Sequence, residues 1–438
     1  MKPVAIAICL AGLFSGTVMA ADLMQTYRDA QASDARFAAA RAQLEAGQEK
    51  VVQGRAGLLP QIGISANTTW NETEYRFAAG PGAGPEQWDH NSNGYGVQLT
   101  QPLFRWQNWV QYRQGELATA LAASQFDIAR QDLVLRVAGA YFNVLNAQDA
   151  LLAVTQLRTA AAEQRELANA AFEVGTVTIT DVHEAQSRYD LASAQEIAAQ
   201  SQLELARQAL AQIIGRQPEA LAGLRPDLAL QRPQPEKLDD WVTAAESGNP
   251  GVQAQQLVRE IAVREVERAR AGHLPTLDIV ASHGLNQNPA FSTERAESTA
   301  LGLQLNLPLY AGGRTESVSR EAAALRMKAD ADVEDARRGA ALAARQAWLG
   351  VTNGLAQVKA LEAARLSSTS ALEANKLGYE VGVRINIDVL NAQTQLADTL
   401  QKLARARYDT LLDQLRLKAA AGALSEADLL QVNALLTQ

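Results

Sequence analysis

Hydrophobic and polar residues alternate with a period of two in four short stretches of this chain. The clearest is 301–309, where Leu fills every odd position and Gly302, Gln304 and Asn306 lie between them. The other three stretches have apolar positions at Ile62, Ile64 and Ala66, at Tyr95, Val97 and Leu99, and at Leu277, Ile279 and Ala281. One apolar and one polar face over about ten residues is typical of a transmembrane β-strand. A soluble β-hairpin with one buried face is the alternative interpretation.

Two further features favour the membrane interpretation. Residues 1–20 contain one Lys, an apolar run, and small residues Val18 and Ala20 before Ala21, which together predict a secretory signal peptide. Aromatic residues mark the ends of the alternating stretches, as they do at membrane interfaces: Trp70, Trp88, Phe104, Trp106, Trp109 and Tyr310. After the leader, no run approaches 18 uninterrupted apolar residues, so we expect strands rather than helices to enter the bilayer.

Two long segments without proline have the pattern of coiled coils. The first, 107–174, holds 68 residues and would form a helix about 100 Å long. Its apolar positions recur every seven residues at Phe126, Leu133, Ala140, Ala147 and Val154, with Val137, Val144 and Leu151 interleaved. The second segment, 314–381, repeats this length. Both are predicted to be long coiled-coil helices.

Each long helix ends in a repeated turn. Residues 171–186 read AFEVGTVTITDVHEAQ and residues 378–393 read GYEVGVRINIDVLNAQ. Seven positions of the two segments are identical, each at an offset of 207. Gly near the end of one helical pattern and Asp near the start of the next predict a helix-hairpin tip in each copy. The second tip carries a hydroxyl and a cation that the first lacks, because Phe172 becomes Tyr379 and Val177 becomes Arg384.

The repeat divides the chain into two similar halves, 21–235 and 236–438. In the first half we predict a helix at 22–55, a β-hairpin at 60–104, the long helix 107–174, a tip at 175–181 and a returning helix to 214. In the second half we predict a helix at 250–270, a β-hairpin at 275–309, the long helix 314–381, a tip at 382–388 and a returning helix to 421. Residues 216–249, rich in Pro, are predicted to link the halves. The fold class is therefore an α+β membrane protein built from two tandem structural repeats.

Composition excludes several functions. Loss of the leader removes Lys2 and leaves 39 basic and 48 acidic side chains, a net charge of −9, which argues against nucleic-acid binding. Cys9 is the only cysteine and lies in the leader, so we expect neither disulfides nor thiolate metal sites. His183 and Glu184 resemble part of a zinc-binding helix, but Ser187 occupies the position of the second His. No enzyme activity, metal or cofactor is predicted.

Four strands per chain are too few to close a membrane barrel, since the smallest known barrels have eight strands and an open edge cannot exist in lipid. Several copies must therefore share one barrel, and this argument leaves two, three and four copies open. A periplasmic coiled-coil adaptor without a barrel is the alternative from a different class of protein.

Several strings in the correct order resemble TolC-type outer-membrane channels over nearly all of the mature chain. They include AYFNVLNAQDALL, VGTVTITDV, GHLPTLD, LPLYAGG, GYEVGVRINIDVL and ARYDTLLDQLRLKAAAGAL. The resemblance implies a homotrimer in the outer membrane of a Gram-negative bacterium, with a 12-stranded β-barrel continued by a long periplasmic α-helical coiled-coil barrel. It also implies a passive exit duct for efflux or type I secretion, recruited by a periplasmic adaptor protein and an inner-membrane RND or ABC transporter.

The resemblance also assigns roles at the tips. Tyr379 and Arg384 match the family's lock on the second hairpin, and Thr180 and Asp181 match their acceptors on the first. Asp388 matches a ring of carboxylates at the pore constriction, whereas Asn391 stands where the family has a second acidic ring, so weaker cation selectivity is expected. Adaptor docking is expected at Val174, Gly175, Thr176, Val381, Gly382 and Val383. The alternative is that Asp181 and Asp388 only cap helices and that Arg384 is a solvated charge.

Overall fold

A computed structural model describes residues 20–76, 85–226, 230–290 and 293–437. The predicted signal peptide, apart from residue 20, lies outside these residues. The described chain is mostly helical with a four-stranded sheet, and it divides into two compact units. One unit comprises residues up to Ala38, Arg130–Thr243 and the residues from Leu342 onward. The other comprises Ala39–Ala129 and Ala244–Ala341.

The second unit contains an antiparallel sheet with strand order β1-β2-β3-β4. The strands are β1 (Gln61–Arg76), β2 (Pro85–Phe104), β3 (Thr276–Ala290) and β4 (Thr293–Asn306). The register aligns the apolar positions across the whole sheet, so that Ile62 faces Leu99, Leu99 faces Ala281 and Ala281 faces Leu301. This apolar row is exposed at its ends, where Ile62 is 68% and Leu301 78% accessible. An exposed apolar face of this extent is unusual for a soluble sheet.

The apolar face ends before the strands do. Two residues further along β3, His283 lies on the same side of the sheet and its Nδ1 is 2.9 Å from the hydroxyl of Thr299. Leu285, the next residue on that side, faces Glu297. The period-two alternation therefore describes an apolar band bordered by polar residues, rather than a uniformly apolar surface.

Nine α-helices occur in the described chain. They are α1 (Leu23–Ser33), α2 (Ala35–Ala56), α3 (Trp106–Glu173), α4 (Ile179–Ile214), α5 (Leu238–Gly248), α6 (Pro250–Arg270), α7 (Arg314–Glu380), α8 (Asn386–Ala420) and α9 (Glu426–Asn433). None of the helices in the described ranges combines the length and the apolar character needed to cross a bilayer.

The prediction of one continuous helix over 22–55 is wrong. The chain leaves helical geometry at Asp34 (φ −68°, ψ 117°), which separates α1 from α2. Asp34 accepts a hydrogen bond from the Phe37 amide at 2.7 Å and so caps α2. Arg136 of α3 donates to both carboxylate oxygens of Asp34, at 2.8 and 3.0 Å, and lowers the pKa of this buried carboxyl. A helix-favouring composition concealed this break, although the Asp34 cap is local and only the contact with Arg136 is tertiary.

The prediction that 216–249 is only a linker is also wrong, because it contains α5. Both ends of α5 lie 215 residues after those of α1, and Asn249 follows α5 as Asp34 follows α1. Asn249 accepts from the Gly251 amide at 2.8 Å and caps α6. The indole of the buried Trp241 donates to the Pro235 carbonyl at 2.7 Å and fixes the start of α5. The short helix α9 was likewise not predicted.

Within the first unit, α3 and α8 share a partly buried polar contact. The Tyr408 hydroxyl donates to Asp149 at 2.7 Å, and the Tyr408 ring stacks on Phe142 with 5.7 Å between ring centroids. Burial raises the pKa of the Asp149 carboxyl, while the Tyr408 hydroxyl and the nearby Arg407 partly oppose that rise. The hydrogen bond compensates a carboxylate that would otherwise be costly in this packed interior.

Candidate channel gate at the helix tips

The first tip joins α3 to α4 through a tight, self-capped turn. Gly175 adopts φ +75°, a left-handed conformation that favours glycine, and allows the Thr176 amide to donate to the Ala171 carbonyl at 2.9 Å. Thr178 begins α4 in a capping box, in which the Asp181 carboxylate accepts from the Thr178 amide at 2.8 Å. The geometry gives Asp181 the capping role that the sequence left as an alternative.

The second tip has the same backbone turn but lacks the capping box. Gly382 has φ +75°, and the Val383 amide donates to the Gly378 carbonyl at 2.8 Å. Ile385 occupies the N-cap position, so no side chain caps the start of α8. The Asp388 carboxylate is therefore available to other groups, and Arg384 lies 3.6 Å from it in an i,i+4 pair.

Gly378 determines where the Arg384 side chain can lie. A Cβ atom at position 378 would be 2.7 Å from Arg384 Cγ and 3.3 Å from Arg384 Cβ, closer than carbon atoms normally approach. Gly378 lies in the last turn of α7, so glycine is needed here for close approach rather than for a left-handed backbone. The first tip has Ala171 and Val177 at these positions, and Gly378 and Arg384 therefore replace them as a matched pair.

The predicted lock is not assembled within one described chain. No hydrogen bond or ion pair there joins Tyr379 or Arg384 to Thr180 or Asp181; Thr180 is exposed, and Arg384 pairs with Asp388 instead. The predicted docking positions are accessible: Val174 is 75%, Val381 64% and Val383 78% exposed. Gly175, Thr176 and Gly382 lie beside them in the same turns.

Arg188 was missed by sequence reasoning. Its guanidinium donates to the Asn391 side-chain oxygen at 3.0 Å, which links α4 of the first hairpin to α8 of the second. Glu184 precedes Arg188 by four residues on α4, the usual spacing for an ion pair, yet Arg188 binds across to the other helix. No sequence signal marks this contact, because the repeat places Gln395 at the position equivalent to Arg188.

The fold is that of solved outer-membrane channels. The structure of the CmeC outer membrane channel of Campylobacter jejuni aligns over 95% of this chain and 90% of its own, with a TM-score of 0.81 at 16% identity. The outer membrane protein VceC of Vibrio cholerae aligns over 91% of this chain and 96% of its own, with a TM-score of 0.77 at 21% identity. Both similarities concern the fold alone.

Sequence comparison defines the family. A family model described as "Outer membrane efflux protein" matches residues 26–216 and 241–423. Outer membrane protein TolC of Escherichia coli is 33% identical, over 99% of this chain and 88% of its own length. The alkaline protease secretion protein AprF of Pseudomonas aeruginosa is 32% identical, over 93% of this chain and 85% of its own. The chain belongs to the outer membrane efflux protein family, which confirms the predicted resemblance and the outer-membrane location with a periplasmic portion. This family consists of channel proteins rather than enzymes, and it is not the class of periplasmic adaptors considered above.

Proposed function

We propose that the chain is the outer-membrane exit duct of a tripartite efflux or type I secretion system: a passive homotrimeric channel that is closed at its periplasmic helix tips. The family description, which names efflux, and the relative AprF, which is named for protease secretion, support both systems. The observation that carries the proposal is the four-stranded sheet with its apolar row Ile62, Leu99, Ala281 and Leu301.

The sheet gives the physical reason for shared assembly. Among the described residues of one chain, the outer strands β1 and β4 each pair on one side only. Unpaired backbone amides and carbonyls are too costly in hydrocarbon, so each edge must pair with another copy. Three copies of four strands form a closed barrel of 12 strands, and the apolar band then faces lipid. We propose that the two tandem repeats, 21–235 and 236–438, each contribute one hairpin to this barrel and one tip to the periplasmic helical barrel.

The tips supply the proposed gate. Arg384 and Tyr379 of the second hairpin bind Thr180 and Asp181 of a first hairpin and hold the tunnel closed, while Asp388 lines the constriction. Because these side chains are partly exposed, each contact contributes about 1 kcal/mol or less, which an approaching partner can overcome. The valine-rich turns 174–176 and 381–383 bind a periplasmic adaptor, which joins the channel to an inner-membrane RND or ABC transporter.

The proposal is tested by single-channel recordings in planar lipid bilayers. Arg384→Glu places a carboxylate opposite Asp181, so we expect higher conductance than in the unaltered protein. Val177→Glu places a carboxylate at the equivalent position of the first tip, with a charge change of one unit instead of two, and serves as the control. An unchanged conductance of Arg384→Glu channels would contradict the proposed lock.

A further inference from the structure

We propose that Arg188 is a specificity-determining residue of the constriction: together with Arg384 it flanks the Asp388 ring with positive charge, and the closed channel therefore has little preference for cations. This inference deepens the proposed function and depends on Asp388 lining the pore. It concerns a residue for which neither the repeat nor the family resemblance suggested a role.

The first step is the position of Arg188 relative to Asp388. Arg188 donates to Asn391 at 3.0 Å, and Asn391 follows Asp388 by three residues on α8. Residues three apart lie on the same face of a helix, about one turn from each other. The guanidinium is thus held beside the turn of α8 that carries the ring carboxylate.

The second step is the environment of the carboxylate itself. Arg384 lies four residues before Asp388 and its Nη1 is 3.6 Å from the carboxylate. The two guanidiniums therefore approach Asp388 from opposite directions along α8, one through a direct ion pair and one through Asn391. In a trimer, three carboxylates would be accompanied by six guanidiniums.

The third step is that no ion pair among the described residues neutralises Arg188, whose polar partner is the neutral side chain of Asn391. Glu184, four residues before Arg188 on α4, is exposed, and the guanidinium donates instead to the neutral amide of Asn391. A hydrogen bond to a neutral acceptor orients Arg188 without removing its charge, so its field remains at the constriction.

This arrangement changes the expected ion selectivity. A ring of carboxylates alone attracts cations and repels anions. Positive charges within about one Debye length, about 10 Å at 0.1 M salt, reduce that potential. We therefore expect the reversal potential of the unaltered channel in a KCl gradient to lie near zero, corresponding to similar permeabilities for K⁺ and Cl⁻.

The test measures reversal potentials of the full-length trimeric channel in planar bilayers under a KCl gradient. Arg188→Gln should raise the ratio of K⁺ to Cl⁻ permeability about twofold, the effect of removing a charge at an assumed distance of about 10 Å from the ion path in a water-like dielectric. Arg188→Lys should keep the unaltered ratio, because it keeps the charge and loses only the guanidinium geometry. Lys402→Gln removes an exposed cation about 21 Å further along α8 and serves as the control.

Asp388→Asn distinguishes the pore-lining position of Asp388 from the effect of Arg188 on ion selectivity. If Asp388→Asn lowers the permeability ratio while Arg188→Gln leaves it unchanged, Asp388 lines the pore and the role of Arg188 is refuted. If neither substitution changes the ratio, the constriction itself has been assigned wrongly. If Arg188→Gln and Lys402→Gln raise it equally, the effect is one of general charge, and the inference is also refuted.

Discussion

Gly378→Ala tests whether the glycine at position 378 positions the Arg384 side chain in the second tip. Adding one methyl group places a carbon 2.7 Å from Arg384 Cγ, whereas carbon atoms pack best at about 3.5–4.0 Å. The Arg384 stem must therefore move by about 1 Å. The guanidinium is already 3.6 Å from Asp388, near the limit of an ion pair, so this movement separates the two charges.

Gly378→Ala should affect the gate but hardly affect the stability of the fold. Alanine is about 1 kcal/mol better than glycine inside a helix, and an exposed ion pair contributes at most about 1 kcal/mol, so the free energy of unfolding should change little. The lock, in contrast, loses its positioned cation. A loss of about 1 kcal/mol at each tip corresponds to an approximately fivefold shift toward the open tip.

Single-channel conductance and thermal unfolding, measured on the same detergent-purified protein, distinguish these effects. Gly339→Ala is the matched control, because it lies in the same helix and a Cβ there meets no atom within 4 Å. Gly378→Ala should increase conductance with no loss of melting temperature, and it should add nothing to Arg384→Ala. If Gly378→Ala channels conduct like the unaltered protein, or if the increase persists without Arg384, the positioning role of Gly378 is refuted.

Two predictions concern the packed core of the first unit. Because burial raises the pKa of Asp149, the ionised carboxyl destabilises the fold at neutral pH, and this cost disappears as the pH falls below the usual aspartate range. Asp149→Asn should therefore raise the melting temperature at pH 7.5 but not near pH 3. Tyr408→Phe, which removes the hydrogen bond to Asp149, should lower the melting temperature at pH 7.5. Equal effects of Asp149→Asn at both pH values would contradict this. Because Arg136 lowers the pKa of Asp34, their ion pair stabilises the fold at pH values above the usual aspartate range, and this stabilisation is lost as the pH falls through the lowered pKa. Arg136→Ala should lower the free energy of unfolding in urea at pH 7 by about 2 kcal/mol. Asp132→Ala, which removes the exposed partner of Arg136, should cost about 0.5 kcal/mol or less, and equal losses would refute the assignment.

Local patterns along the chain carried much of the prediction. The alternation of Leu301, Leu303 and Leu305 with polar residues gave the faces of β4, because strand geometry fixes a period of two. Gly175 and Gly382 marked the tips, because a left-handed residue ends a helix at little cost only when it is glycine. These features depend on neighbouring residues and are therefore visible in the sequence.

Contacts between distant residues could not be predicted in this way. The contact that holds the Asp34 carboxylate at the break comes from Arg136, which lies 102 residues away, and the link between Arg188 and Asn391 spans 203 residues. The function of Gly378 becomes apparent only from the close packing of the Arg384 side chain against it. At the gate, the sequence indicated which side chains carry charge and hydroxyl groups, but their partners within the chain emerged only from the fold.

The mass of the assembly in detergent shows whether several copies share one barrel. We propose that the four strands of one chain form an incomplete barrel whose edges, β1 and β4, pair only with other copies. Native mass spectrometry of the mature protein extracted from outer membranes should therefore give three copies per particle, and heating should convert this species to single chains. A single chain that remains in solution without detergent would contradict the shared barrel.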